Sequence, residues 1–151
     1  MSGRTLGPGQ YGLADLRTGD VIETGQCTVT PALIDAFAAM TGDRFKIHMD
    51  RDAALRHGFR DRVAHGLLVL SLVDGLKNQA PAQFAALASL GWDWSFSAPV
   101  LAGDSIAATI TVTGLRATSD GKRAVATLDF DVTNQRGETV QRGVNRLMIY
   151  A

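Results

Sequence analysis

Between Phe37 and Leu76 the chain carries a carboxylate (Asp43), an imidazole (His48) and a glycine-led apolar run that opens at His65-Gly66. A carboxylate and an imidazole can share proton-transfer work near neutral pH, because histidine changes charge there and the carboxylate can orient or stabilise its ring. A glycine at a helix start adds a backbone N–H without an intrahelical acceptor, at the positive end of the helix dipole. Such a donor suits an oxygen that gains negative charge during a reaction. Asp43 and His48 are therefore a candidate acid/base pair and the Gly66 N–H a candidate oxyanion donor. His65 reads as a structural residue that holds the helix start by hydrogen bonds.

The spacing constrains how these residues meet. Five residues on a continuous α-helix separate two side chains by about 140° of azimuth, so a helix does not join Asp43 to His48. Leu33, Ile34, Phe37 and Met40 recur at helical spacing, Thr30-Pro31 supplies a cap and a first-turn proline, and Gly42 stands where a left-handed residue stops a helix. This predicts a helix from Pro31 to about Thr41 that delivers Asp43, followed by a loop to His48. Asp50 then caps a short helix through about His57, with Asp52 in its first turn and Gly58 ending it. Phe59-Arg60-Asp61-Arg62 is a polar approach to the next helix, readable as a solvated loop with a local ion pair. From Gly66 to about Lys77 apolar residues occupy nearly every face, so this helix must be wrapped by other elements.

The rest of the chain reads mainly as strands. Asp20 to Thr30 is β-favouring with imperfect alternation, and Pro81 to Leu87 is a short helix or turn. Leu90, Trp92, Trp94 and Phe96 alternate at period two. Ile106 to Val112 and Ala124 to Val132 alternate likewise, with turns at Ser119-Asp120-Gly121 and Asn134 to Gly137. In the last strand the apolar phase moves from Val140 and Val144 to Leu147 and Ile149, which a bulge near Gly143 to Arg146 would explain. Met1 to Gln10, with three glycines and a proline, reads as a loose arm. No repeat or second domain is evident, so residues 1–151 are expected to form one domain.

The 151 residues are 46% hydrophobic and balance 15 basic against 15 acidic side chains, enough for a sizeable core. The neutral balance argues against nucleic-acid or polybasic membrane partners. The lone Cys27 excludes an intramolecular disulfide and a cysteine-based zinc site, and fits a reducing cytoplasm. No secretion signal opens the chain, and the Val63 to Leu76 run is shorter than the roughly 20 residues a bilayer needs. A cytoplasmic protein without a bound metal or separate cofactor is expected.

The string TGD, the five-residue step to His48, Asp50 and the later VAHGLLVLSL resemble the MaoC-like hydratase/dehydratase family. Its (R)-specific enoyl-CoA hydratases carry G-D-x-N-P-x-H followed by an A-H-G helix start. WSFSAPVLAGDSI is similar to that family's F-x-x-P-V-x-x-G-D strand signature, and DLRTGDVIETGQCTVTPALIDAFAAMTGD to its opening strand and helix. The resemblance implies an α+β single hotdog fold, a curved antiparallel β-sheet wrapped around a central apolar helix, and a homodimer or higher homo-oligomer. It also implies a hydro-lyase of acyl-thioester and fatty acid metabolism that adds water across a trans-2-enoyl thioester, with coenzyme A as part of the substrate. The dyad falls on Asp43 and His48 and the oxyanion donor on the Gly66 N–H. Arg60 and Arg62 could then meet phosphates of coenzyme A, and Phe45 the substrate.

Two departures stand out. Phe45-Lys46 replaces the family's Asn-Pro, and Asp74 stands where the family often has a serine supporting the dyad. Asp74 has three readings: a hydrogen-bond partner of the dyad, a partner for a dimer-interface arginine, or a catalytic carboxylate as on the central helix of hotdog thioesterases. A thioesterase and a non-catalytic acyl-thioester-binding subunit are the competing functions.

Overall fold

The structure, a computed structural model, describes residues 3–151. Strands β1 (Gly9–Tyr11) and β2 (Val21–Thr28) precede helices α1 (Pro31–Thr41), α2 (Lys46–Met49), α3 (Arg51–Arg56) and α4 (Gly66–Gln79). Strands β3 (Ala82–Phe84), β4 (Ala86–Phe96), β5 (Ser105–Ala117), β6 (Arg123–Thr133) and β7 (Thr139–Tyr150) complete the chain. Five of the strands form one antiparallel sheet in the order β2-β5-β6-β7-β4, while β1 and β3 form a separate parallel pair.

The period-two pattern decides which face of the sheet is buried. Ile106, Ala108, Ile110 and Val112 on β5, and Ala124, Ala126, Leu128, Phe130 and Val132 on β6, are all buried. Helix α4 lies against β2 and β5 and buries Leu68, Val69 and Val73 in the same cluster, with Leu76 buried a turn on. Each such side chain removed from water contributes about 1.5–3 kcal/mol, so this seam dominates the fold. The arrangement is the α+β hotdog, with a sheet around an apolar helix. One chain does not wrap α4 completely: Leu67 is 60% exposed, and Leu87 and Leu90 are exposed on the edge strand β4. Among the described residues no helix is long and apolar enough to cross a membrane.

Local signals at α1 act as the residue types require. Thr30 accepts the Leu33 N–H at 3.1 Å, Pro31 opens the helix, and Gly42 closes it at φ 80°. Only glycine adopts that left-handed geometry without steric cost. Asp50 caps α3 by accepting the Asp52 N–H at 2.9 Å.

Four expectations are corrected. Residues 3–10 are not a loose arm: Leu6 is buried and donates to Val21, Arg4 pairs with the buried Asp20, and Gly9–Tyr11 pairs with β3. Met1 and Ser2 of that arm lie outside the described residues. Pro81 to Leu87 is β3 and the start of β4 rather than a helix or turn, because the N-terminal strand supplies it with a partner. His48 sits on the one-turn helix α2 and not in a loop. The bulge in β7 is at Val140, where Val132 and Thr133 pair with Gln141 and Thr139; pairing of Gly143 to Arg146 with β6 is regular, and the register shift beside Arg146 lies in β4, between Ser89 and Gly91. The imperfect alternation of β2 has the same cause, a bulge between Glu23 and Gln26.

Candidate active site

Asp43 follows the left-handed Gly42, and its position is set by short local bonds. Its N–H donates to Thr41 Oγ1 at 3.2 Å, and its Oδ1 accepts the Phe45 N–H at 3.2 Å. One turn later α2 carries His48 inward, where the residue is 9% exposed. The Val63 carbonyl lies 2.6 Å from His48 Nδ1. A carbonyl can only accept, so Nδ1 carries the proton and Nε2 keeps its lone pair. Val63 is itself fixed, because its N–H donates to Ile47 at 2.9 Å and it bridges Leu101. The Pro99-Val100 segment completes the clamp, with Val100 accepting the Ala64 N–H at 2.7 Å.

Burial is the main influence on the His48 pKa and pushes it below its ordinary 6.5. The bond to Val63 opposes this, while His65 and Arg62 lower it further and Asp43 raises it. Burial thus favours the neutral ring, and in that form the bond to Val63 leaves the free electron pair on Nε2.

His65 ends the approach to α4. Its Nε2 donates to the Asp43 carbonyl at 2.9 Å, tying the carboxylate-bearing turn to the helix start, and its buried Nδ1 has no partner among the described residues. The His48 and His65 rings stack with centroids 4.0 Å apart and a 30° tilt. A carboxylate oxygen of Asp43 and one ring nitrogen of each histidine lie within 4.8 Å of one another. As a metal set this is poor, since the in-plane lone pairs of stacked rings run nearly parallel and converge badly on one ion.

These groups open onto a cleft of about 550 Å³ lined by Phe45, Phe59, Gly66, Phe96 and Gln141 among others. The Gly66 N–H finds no acceptor among the described residues. Its carbonyl accepts from Gln141 Nε2 at 3.1 Å, and Gln141 Oε1 accepts Trp94 Nε1–H at 2.8 Å. Gln141 is 2% exposed and was not singled out from the sequence. Its signal is a polar residue at an inward position, readable only once the Val140 bulge sets the strand's phase. A side chain at residue 66 would meet the Phe96 ring, which would have to turn aside.

The other expected site residues divide. Phe45 stands at the cleft mouth, 64% exposed, with its ring edge-on to His48 at 5.9 Å. Phe45 and Lys46 occupy the N-cap and first position of α2, where proline is favoured but not required, so the backbone keeps its course without Asn-Pro. Arg62 acts as a brace: Nε donates to the His48 carbonyl at 2.6 Å and the guanidinium pairs with Asp35 on α1. Arg60 lies outside the cleft, in an adjoining groove. Asp74 does not line the cleft either; Lys77 Nζ is 3.0 Å from its Oδ1, as an ion pair without good hydrogen-bond alignment. Asp74 is two turns along α4 from Gly66, about 12 Å in rise.

The model of the MaoC-like domain matches residues 15–134. The chain belongs to the MaoC-like domain family. It is 34% identical over 114 residues to the (R)-specific enoyl-CoA hydratase of Aeromonas caviae, covering 74% of this chain and 80% of that protein. It is 36% identical over 98 residues to protein MaoC of Klebsiella aerogenes, which covers 64% of this chain and 29% of that protein's length. Among solved structures, the monoamine oxidase regulatory protein from Archaeoglobus fulgius matches with a TM-score of 0.85 at 32% identity, covering 99% of this chain and 98% of that one.

Proposed function

We propose that this protein is a hydro-lyase that reversibly hydrates a trans-2-enoyl thioester to the (R)-3-hydroxyacyl thioester. The observation that supports the reading is the bond of His48 Nδ1 to Val63, which leaves Nε2 free, in a cleft where a ring nitrogen of His48 and a carboxylate oxygen of Asp43 lie within 4.8 Å of each other. Two hydrogen bonds of about 2.8 Å meeting at a tetrahedral angle span about 4.6 Å, so Asp43 and His48 can share one water. His48 Nε2 takes a proton from that water as its oxygen bonds to C3, and the π electrons move onto the thioester oxygen. The Gly66 N–H holds that oxygen. The proton then passes from His48 through Asp43 to C2, and the C=O re-forms. Both additions come from the dyad's face, which makes the addition syn, and the (R) configuration follows the likeness to the (R)-specific hydratases.

The names of the relatives support the acyl-thioester class, and the chain covers most of the length of the Aeromonas hydratase. A homodimer is part of the proposal, since the uncovered Leu67 and the apolar edge of β4 call for a partner surface. The test is chiral product analysis with short, medium and branched trans-2-enoyl-CoA substrates. An (R)-3-hydroxyacyl product is expected. Release of free thiol in its place would make the protein a thioesterase, and binding without turnover would make it an accessory subunit.

A further inference from the structure

A second hollow of about 180 Å³ adjoins the cleft and shares three of its walls, Phe59, Ala98 and Pro99. Its far side is basic. Arg60 contributes an exposed guanidinium with no hydrogen-bond or ion-pair partner among the described residues. Arg136 contributes another, whose Nε donates to Glu138 at 2.6 Å while its terminal nitrogens bond to nothing else among the described residues.

Arg136 is held on a tight turn. Asn134 Oδ1 accepts the N–H groups of both Arg136 (2.9 Å) and Glu138 (3.1 Å), and the backbones of Asn134 and Glu138 are joined at 3.0 Å. Gln135 within that turn is anchored to the buried Asp104. A guanidinium on a fixed turn loses little freedom when it binds. Glu138 is the one carboxylate on the wall, and its pKa is held down mainly by the Arg136 bond, with Arg60 contributing through its charge. Two guanidinium groups against one carboxylate leave the groove positive beside an apolar channel. Arginine forks match phosphate oxygens in geometry as well as charge.

We propose that this groove receives a phosphate of the arm that carries the thioester, held by Arg60 and the terminal nitrogens of Arg136, while the acyl end lies at His48. The inference rests on the thioester reading above and adds to it the residues that recognise the carrier. Phe59, Ala98 and Pro99 are then the walls along which the uncharged pantetheine segment passes between the two hollows.

The experiment is isothermal titration of the full chain with the saturated butanoyl thioesters of pantetheine, 4′-phosphopantetheine and coenzyme A, which cannot be hydrated. The phosphorylated ligands are expected to bind roughly tenfold more tightly than the pantetheine thioester, with the advantage shrinking as salt is raised. The Arg60→Ala/Arg136→Ala variant should lose that advantage and bind the pantetheine thioester as the wild type does. A further gain from phosphopantetheine to coenzyme A would assign the groove to the free coenzyme, and no further gain to an arm borne on a carrier protein; both support the site. Equal binding of all three by the wild type, or an advantage that persists in the double variant, would overturn it. Hydration is assayed separately: an intact phosphate preference without turnover would sink the hydratase reading and leave the groove, and turnover without the preference would do the reverse.

Discussion

Two hollows of about 550 Å³ occur on this protein, one at His48 and one on the outer face of the sheet among Asp93, Asp129, Asp131 and Arg142. They differ in how their polar groups are held. On the outer face these are the alternate, solvent-side residues of neighbouring strands, bonded across the sheet as Thr139 is to Asp131 (2.7 Å). In the cleft, side chains from separate elements converge, and each donates to a backbone carbonyl: His48 to Val63, His65 to Asp43, Gln141 to Gly66. Equal volume does not make equal sites. What distinguishes the cleft is a buried base whose tautomer is set, next to a carboxylate and an unpaired N–H.

Removing the dyad should expose that difference most strongly. Asp43→Asn is expected to lower kcat for enoyl-thioester hydration roughly a hundred- to ten-thousand-fold with an unchanged melting temperature. At the other extreme, Asp129→Asn on the outer face should leave kcat unaltered and shift stability by no more than about 0.5 kcal/mol. Near-wild-type turnover in folded Asp43→Asn would take Asp43 out of the mechanism, and a large loss in Asp129→Asn would make the outer hollow functional.

Gln141→Leu falls between these limits. It leaves the Trp94 N–H without its acceptor and removes the side-chain bond to the Gly66 carbonyl, at a cost of about 1–3 kcal/mol for a buried group, readable by urea denaturation. Activity should fall as well, because the start of α4 is no longer tied to β7. A variant as stable and active as the wild type would show that the Gln141 bridge positions nothing.

Much of this architecture was legible in the sequence because it depends on local chemistry. The cap Thr30, the stop Gly42 and the cap Asp50 act within a turn of themselves, and the alternation on β5 and β6 needs no partner to be read. Asp43, His48 and Gly66 were found through spacing and motif resemblance together. The misreadings share a non-local cause. Gly9–Tyr11 becomes a strand only by pairing with β3, some seventy residues on. Gln141 and Asn145 occupy inward positions on β7, so the apolar phase gave the wrong place for the bulge. Asp74 was singled out because it stands where the family often has a serine, and only the fold shows that it pairs with Lys77 one turn on. Arg62 and Arg60 are equivalent in sequence, but only the fold shows that Asp35 and the His48 carbonyl occupy the first and leave the second free.

Stability and catalysis should share one pH dependence. A histidine whose folded pKa lies below 6.5 binds protons less readily than the unfolded chain, so its contribution is complete above 6.5 and is lost as pH falls through the folded value. The most direct test of the central claim is therefore the ¹⁵N–¹H NMR spectrum of His48 across that range. The expected result at pH 7 is a neutral ring with the proton on Nδ1 and a bare Nε2, becoming protonated only below 6.5. An Nε2–H tautomer, or an imidazolium at pH 7, would contradict the account, because the cleft would then hold no base.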